Sequence, residues 1–171
     1  MKSQTRTKMP VMVIVTLAGH TLCMLPASLF TIMFASPFFV LPWRRNQFLA
    51  RIDMDFYDYP FSPDDWFRSE CLESLIQLIC ILLALSFVLF VVLLLRHKNT
   101  SLVWLGITVL LELGMIAAFL RYNTVTWSVD IAFRDCYLLP FFFAPILTCF
   151  GVKATKTWVS RNISEDIRSL V

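Results

Sequence analysis

The chain has 171 residues, 58% of them hydrophobic, and carries 15 Lys and Arg against 12 Asp and Glu. Its mean hydropathy is +0.71. A soluble domain is about 45–50% apolar, so most soluble-enzyme motifs drop out of consideration. The basic residues are split among segments that flank apolar runs, so no nucleic-acid surface is expected.

Four apolar stretches lie at 10–34, 74–95, 102–121 and 131–152. Each has the ~20 residues that a helix needs to cross about 30 Å of hydrocarbon. The expected fold is an all-α membrane protein with one domain over 1–171 and four transmembrane helices. Outer loops are expected at 35–73 and 122–130, and a tail at 153–171.

The first stretch begins like a signal peptide, with Lys2, Arg6 and Lys8 before the apolar run Val11 to Leu25. The run continues through Pro26 almost to Pro42, past the ~7–15 residues of a signal core. An uncleaved first span is therefore expected, kinked at Pro26 and ended by Pro37 and Pro42. His20 lies slightly to the N-terminal side of its middle.

In the loop at 35–73, residues alternate from Phe48 to Tyr57. That period of two predicts a short β segment. The stretch from Asp58 to Phe67 is acidic, aromatic and proline-broken, and reads as turns. Asp53, Asp55, Tyr57, Asp58 and Trp66 are candidates for a recognition surface. Three of the aspartates could hold calcium, but an EF-hand's glycine and terminal glutamate are missing, so no metal site is expected.

Cys71 lies just before the second stretch, on its outer side; the stretch itself carries Gln77 and Cys80, which reads as a packing residue like Cys23. The third carries Glu112 at its middle. A charged side chain there costs on the order of 2.5–3.5 kcal/mol on insertion scales and faces a bundle interior or a cavity. His20 falls close to the same depth, so the two can meet if their helices touch. Gln77 could join a polar cluster from near the outer end. Three readings of Glu112 stand side by side: glue between helices, a contact to a partner's basic residue, or an ion or proton path. Gly114 and Ala118 form a small-xxx-small pair that permits close backbone approach.

Cys136, at the outer end of the fourth stretch, lies at a depth similar to Cys71, so a Cys71–Cys136 disulfide is a candidate. Arg134 and Asp135 beside it are a candidate pair, and Cys149 is a candidate palmitoylation position. In the tail, Val159, Ile163, Ile167 and Leu170 recur at helical spacing among Lys153, Lys156, Arg161 and Arg168. This pattern suits a segment lying against anionic lipid. Ser169, Leu170 and Val171 have the shape that PDZ domains accept at a free C-terminus.

The segments at both ends, with the 96–101 connection, hold nine basic residues and two acids; the other side holds six Arg, no Lys and nine acids. Lys/Arg excess marks the cytoplasmic face, so both termini are expected there. Trp43, Trp66, Tyr122 and Trp127 fall at the outer interface and Trp104 and Trp158 at the inner one, as an aromatic belt requires. The sequons at Asn99 and Asn162 then fall inside and stay unmodified.

This layout resembles the claudin and peripheral-myelin-protein tetraspan superfamily. Both termini lie inside, the first outer loop is large, the second is small, and the chain ends on a PDZ-like valine. The family's first-loop signature is a Trp followed by Gly-Leu-Trp and two cysteines. Here Trp66 and Cys71 stand without it. The resemblance therefore implies a layout and not a barrier or pore activity.

The expected function is that of a non-enzymatic multi-pass protein acting through contacts, as accessory subunit, adhesion component or scaffold. The alternative is a small transporter or channel subunit using Glu112 and His20. No catalytic residues and no cofactor are expected. The expected partners are the lipid bilayer, another membrane protein or a second copy, and a cytoplasmic PDZ-type domain. The plasma membrane is the first expectation for location, an endomembrane such as the endoplasmic reticulum the second.

Overall fold

A computed structural model describes residues 8–33, 45–50, 63–126 and 131–170. Five helices follow in chain order: α1 Val11–Met33, α2 Arg45–Leu49, α3 Pro63–Leu95, α4 Ser101–Thr126 and α5 Ile131–Leu170. Four of them, α1, α3, α4 and α5, are long and apolar enough to cross a membrane. The chain is thus an integral membrane protein by length and composition.

The four long helices pack as a square. α3 lies against α4, α4 against α5, α5 against α1 and α1 against α3. Every neighbour along the chain is a neighbour in space, which gives an up-down-up-down bundle. α1 and α4 occupy one diagonal, α3 and α5 the other.

Three helices outrun their expected spans: α4 reaches Thr126 rather than 121, and α3 and α5 extend further still. α3 begins at Pro63 rather than 74. Proline lacks the amide that a first helical turn leaves unbonded, and Asp64 and Asp65 complement the positive end of the helix dipole, so Pro63-Asp64-Asp65 starts a helix. At ~1.5 Å per residue α3 is about 50 Å long and α5 about 60 Å, well beyond the hydrocarbon. α5 runs straight through the tail at 153–171 as far as Leu170. It contains Pro140 and Pro145, and α1 contains Pro26. Bundled membrane helices tolerate proline because neighbours re-satisfy the freed backbone groups.

The α3–α4 turn is closed by backbone geometry. His97 adopts φ 51°. The Lys98 amide donates to Leu93 O and the His97 amide to Leu94 O, both at 3.0 Å. These are the two bonds of a Schellman cap, made here without glycine.

No strand occurs among the described residues, which corrects the start of the expected β segment. Phe48 and Leu49 belong to α2, and the Ala50 amide donates to Asn46 O at 3.1 Å, a helical bond. α2 is also tied down, because Arg45 Nε donates to Asp64 Oδ1 at 2.8 Å on the first turn of α3. A local turn anchored at its first residue wins over a weak alternation. The rest of that segment lies outside the described residues, as do Pro37 and Pro42.

The interior is layered. One apolar cluster joins Cys23, Phe30, Ile76, Leu83, Met115, Phe119 and Phe141 among others. A second joins Val13, Phe90, Leu94, Leu105, Trp158 and Val159 at the end that holds the termini. Between them along every helix come His20, Ser86, Thr108, Glu112 and Thr148, all buried. Outward-facing Leu, Ile, Val and Phe cover the other faces of the bundle, as lipid contact requires.

Candidate functional site

The middle layer is where four helices bring chemistry together. His20 of α1 and Glu112 of α4 are both fully buried. His20 Nδ1 lies 2.7 Å from Glu112 Oε1, across the bundle diagonal. His20 Nε2 lies 2.8 Å from Thr148 Oγ1 on α5. α3 supplies aromatic walls: the His20 ring stands 6.4 Å from Phe87 and 6.3 Å, edge-on, from Phe90.

The hydrogen bonds determine one proton position. Thr148 Oγ1 donates to Ala144 O at 3.0 Å. Its only hydrogen is therefore used, and it can only accept from His20. His20 Nε2 must carry a hydrogen. One more proton sits between Nδ1 and Oε1. It makes either an imidazolium–carboxylate pair or a neutral imidazole facing a carboxylic acid, and both arrangements are net neutral. Neutrality is what makes the site tolerable in hydrocarbon, since an isolated buried charge costs far more than a paired one. Glu112 Oε2 has no hydrogen-bond partner.

A second polar contact lies deeper toward the termini. Thr108 Oγ1 is 3.2 Å from Ser86 Oγ and donates to Trp104 O at 2.8 Å. Toward the other end, Tyr122 Oη donates to Glu73 Oε1 at 2.8 Å, joining α4 to α3. Thr148, Ser86, Thr108 and Glu73 were not among the expected site residues. Their signal in the sequence is slight: hydroxyls are common in membrane helices and usually bond their own preceding turn.

The remaining expected residues are dispersed. Gln77 sits half-buried on α3 and makes none of the bonds to His20 or Glu112. Trp66 lies in the first turn of α3, and its side chain lies outside the described residues, as do Asp53, Asp55, Tyr57 and Asp58. No group of three metal-ligating side chains occurs among the described residues. Cys71 is a free thiol and no disulfide occurs among the described residues; the Cys136 side of the expected pair lies outside them. The two positions belong to α3 and α5, which stand on a diagonal rather than side by side. The side chains of Arg134, Asp135 and Cys136 lie outside the described residues. Cys149 is exposed.

Ser169 and Leu170 are the last helical residues of α5, and Val171 lies outside the described residues. Capture by a PDZ domain needs an extended end, so these residues would have to unwind first. Asn162 is buried, and its amide donates to Trp158 O at 2.9 Å. That sequon is held within a helix.

Close helix approach occurs where it was not expected. A Cβ added at Gly114 would meet nothing within 4 Å, so the Gly114/Ala118 pair makes no tight contact at its glycine. A Cβ at Gly19 would lie 2.9 Å from Leu147 Cδ1, and one at Gly151 would overlap the Thr16 hydroxyl. The tight seam is between α1 and α5, the seam that holds His20 against Thr148.

No protein family, curated protein or solved structure matches the chain. The class defined here is therefore structural: a four-helix integral membrane protein with a buried His–Glu–Thr layer.

Proposed function

We propose that this protein is a non-enzymatic membrane subunit that works through lateral and loop contacts with other proteins, as an accessory subunit, adhesion component or scaffold. The observation that bears most on the choice is that Glu112 and His20 are spent on each other inside the chain, which favours a packing role for the pair over an ion path and leaves contacts to other surfaces. A carboxylate held at 2.7 Å by its own histidine is not reserved for a basic residue in a partner's helix. Both termini are proposed to be cytoplasmic, on the Lys/Arg distribution. The plasma membrane is the first location proposed, an endomembrane the second. The outer-loop residues Asp53, Asp55, Tyr57, Asp58 and Trp66 and the C-terminal Ser169, Leu170 and Val171 are the proposed contact points.

The test is purification from native membranes in mild detergent, with an N-terminal tag so that Val171 stays free. A partner in fixed stoichiometry, retained with Glu112→Gln, is expected. A lone chain under the same conditions would contradict the reading.

One observation favours the alternative, a transporter or channel subunit. Glu112 Oε2 is buried with no hydrogen-bond partner, and a carboxyl oxygen so placed can accept a proton from outside the pair. On that reading Glu112→Gln abolishes flux in proteoliposomes while the bundle still folds.

A further inference from the structure

At the end of the bundle that holds the termini, the segment before α1 and one face of α5 line an open groove of about 390 Å³. Lys8 and Pro10 line it from one side, and Phe150, Lys153, Trp158 and Arg161 from the other. The volume falls in the range of ~300–1,000 Å³ that small ligands occupy.

Three features give this pocket a chemistry. The first is charge: Lys8, Lys153 and Arg161 line one groove, and no carboxylate is among its described lining residues. Lys153 and Arg161 stand eight residues apart on α5, so they fall on one helix face about two turns apart. Lys8 reaches the pocket from a separate part of the chain. A planar guanidinium and two ammonium groups around one space suit phosphate oxygens.

The second feature is polarity along the helix. Phe150 lies just before Lys153, toward the membrane-crossing part of α5, and is 69% exposed on the outer face of the bundle. The groove therefore carries cations along its length and an exposed aromatic ring, Phe150, at the end nearer the apolar part of α5. The third is rigidity. Trp158 is buried, and its ring stands edge-on to His97 at 4.8 Å, which holds the floor in place. The tight α1–α5 contact at Gly151 and Thr16 keeps the two walls in register.

We infer that this pocket binds an anionic phospholipid, with the headgroup phosphate among Lys8, Lys153 and Arg161 and the upper acyl chain along Phe150. A free phosphate would use the cations alone and gain nothing from Phe150. Three cations match a headgroup bearing a phosphate monoester better than a singly charged one. The site is independent of the proposed function: it neither requires a protein partner nor uses Glu112.

The test uses the full-length protein in a neutral detergent, with lipid retention read by native mass spectrometry. The probes are a phosphorylated phosphatidylinositol, phosphatidylserine, phosphatidylcholine and inorganic phosphate. Wild type is expected to retain the phosphorylated lipid above the others. The Lys153→Gln/Arg161→Gln variant is expected to lose at least about tenfold in affinity, because each Lys or Arg near an anionic lipid contributes appreciably. The Arg96→Gln/Lys156→Gln variant removes the same charge from exposed positions that do not line the pocket, and is expected to bind as wild type does. Phe150→Ser should weaken the lipid and leave any binding of inorganic phosphate unchanged. Equal losses in both double variants would reduce the effect to bulk charge and overturn the site. Retention of phosphatidylcholine at the same level, or binding of inorganic phosphate as tight as that of the lipid, would overturn it as well. All four substituted cations are exposed, and an unchanged melting temperature in each variant separates loss of lipid from loss of fold.

Discussion

Glu112 is the residue on which the interior turns. Its depth, and that of His20, were legible in the sequence, because each sits near the middle of an apolar run. Their meeting was not, since it depends on how α1 and α4 rotate about their axes. Thr148 was not legible at all: a threonine in an apolar stretch looks like any other until a neighbouring helix offers it a donor. The hydrogen-bond pattern gives Glu112→Gln a definite expectation. His20 keeps its Nε2 hydrogen for Thr148 Oγ1, so Nδ1 can accept from the glutamine amide, and the substitution should cost within about 1 kcal/mol. Glu112→Leu leaves Nδ1 buried and unpaired and should cost about 1–3 kcal/mol. Reversible unfolding in bicelles separates the two. A large loss for the glutamine variant would mean that the charge, and not the hydrogen bond, holds the layer.

At the scale of elements, helix existence followed from length and hydropathy, while helix ends and contacts did not. The acidic, proline-broken stretch before Cys71 read as turns, yet Pro63, Asp64 and Asp65 are also a helix start, and the turn reading hid it. The tail's spacing of Val159, Ile163 and Ile167 hinted at a helix without showing that α5 would be continuous through it. Small residues were the least legible. Gly114 and Ala118 looked like a packing pair, but Gly114 faces open space, and the seam is built instead from Gly19, Gly151 and Thr16. Gly151→Ala should therefore destabilise the bundle by about 1–3 kcal/mol through overpacking. Part of that should return when Thr16→Ala is added, since the clash is with the Thr16 side chain. Gly114→Ala should cost nothing, and helix propensity could raise stability by a few tenths to about 1 kcal/mol. Equal effects at both glycines would place the seam elsewhere.

Taken whole, the molecule is a square of helices whose side-by-side contacts are mainly apolar, with polar links at Thr108–Ser86, Tyr122–Glu73 and His20–Thr148, and one diagonal is joined by His20 and Glu112. Packing in a bilayer has no hydrophobic drive between helices, so close contact and hydrogen bonds must determine their arrangement. Apolar neighbours can slide or rotate at little cost. A bond from His20 on α1 to Glu112 on α4, with Thr148 of α5 on the other ring nitrogen, joins three of the four helices at one depth. On the function proposed above, the same bond removes the obvious mid-membrane charge from use by a partner and leaves the loops, the tail and the lipid-facing surfaces for contacts. The polar diagonal comes from residues that the number and order of spans do not describe.

The most direct measurement is a double-mutant cycle on that diagonal, with unfolding free energies for wild type, His20→Leu, Glu112→Leu and the double variant in bicelles. Membrane pairs of this kind couple by about 0.6 kcal/mol on average and up to about 1.7. A buried bond of 2.7 Å should fall in the upper part of that range, near 1 kcal/mol or more, with the double variant destabilised less than the sum of the singles. Simple additivity, to within about 0.3 kcal/mol, would mean that His20 and Glu112 do not hold each other in the bilayer. It would also contradict the view that Glu112 is spent inside the fold.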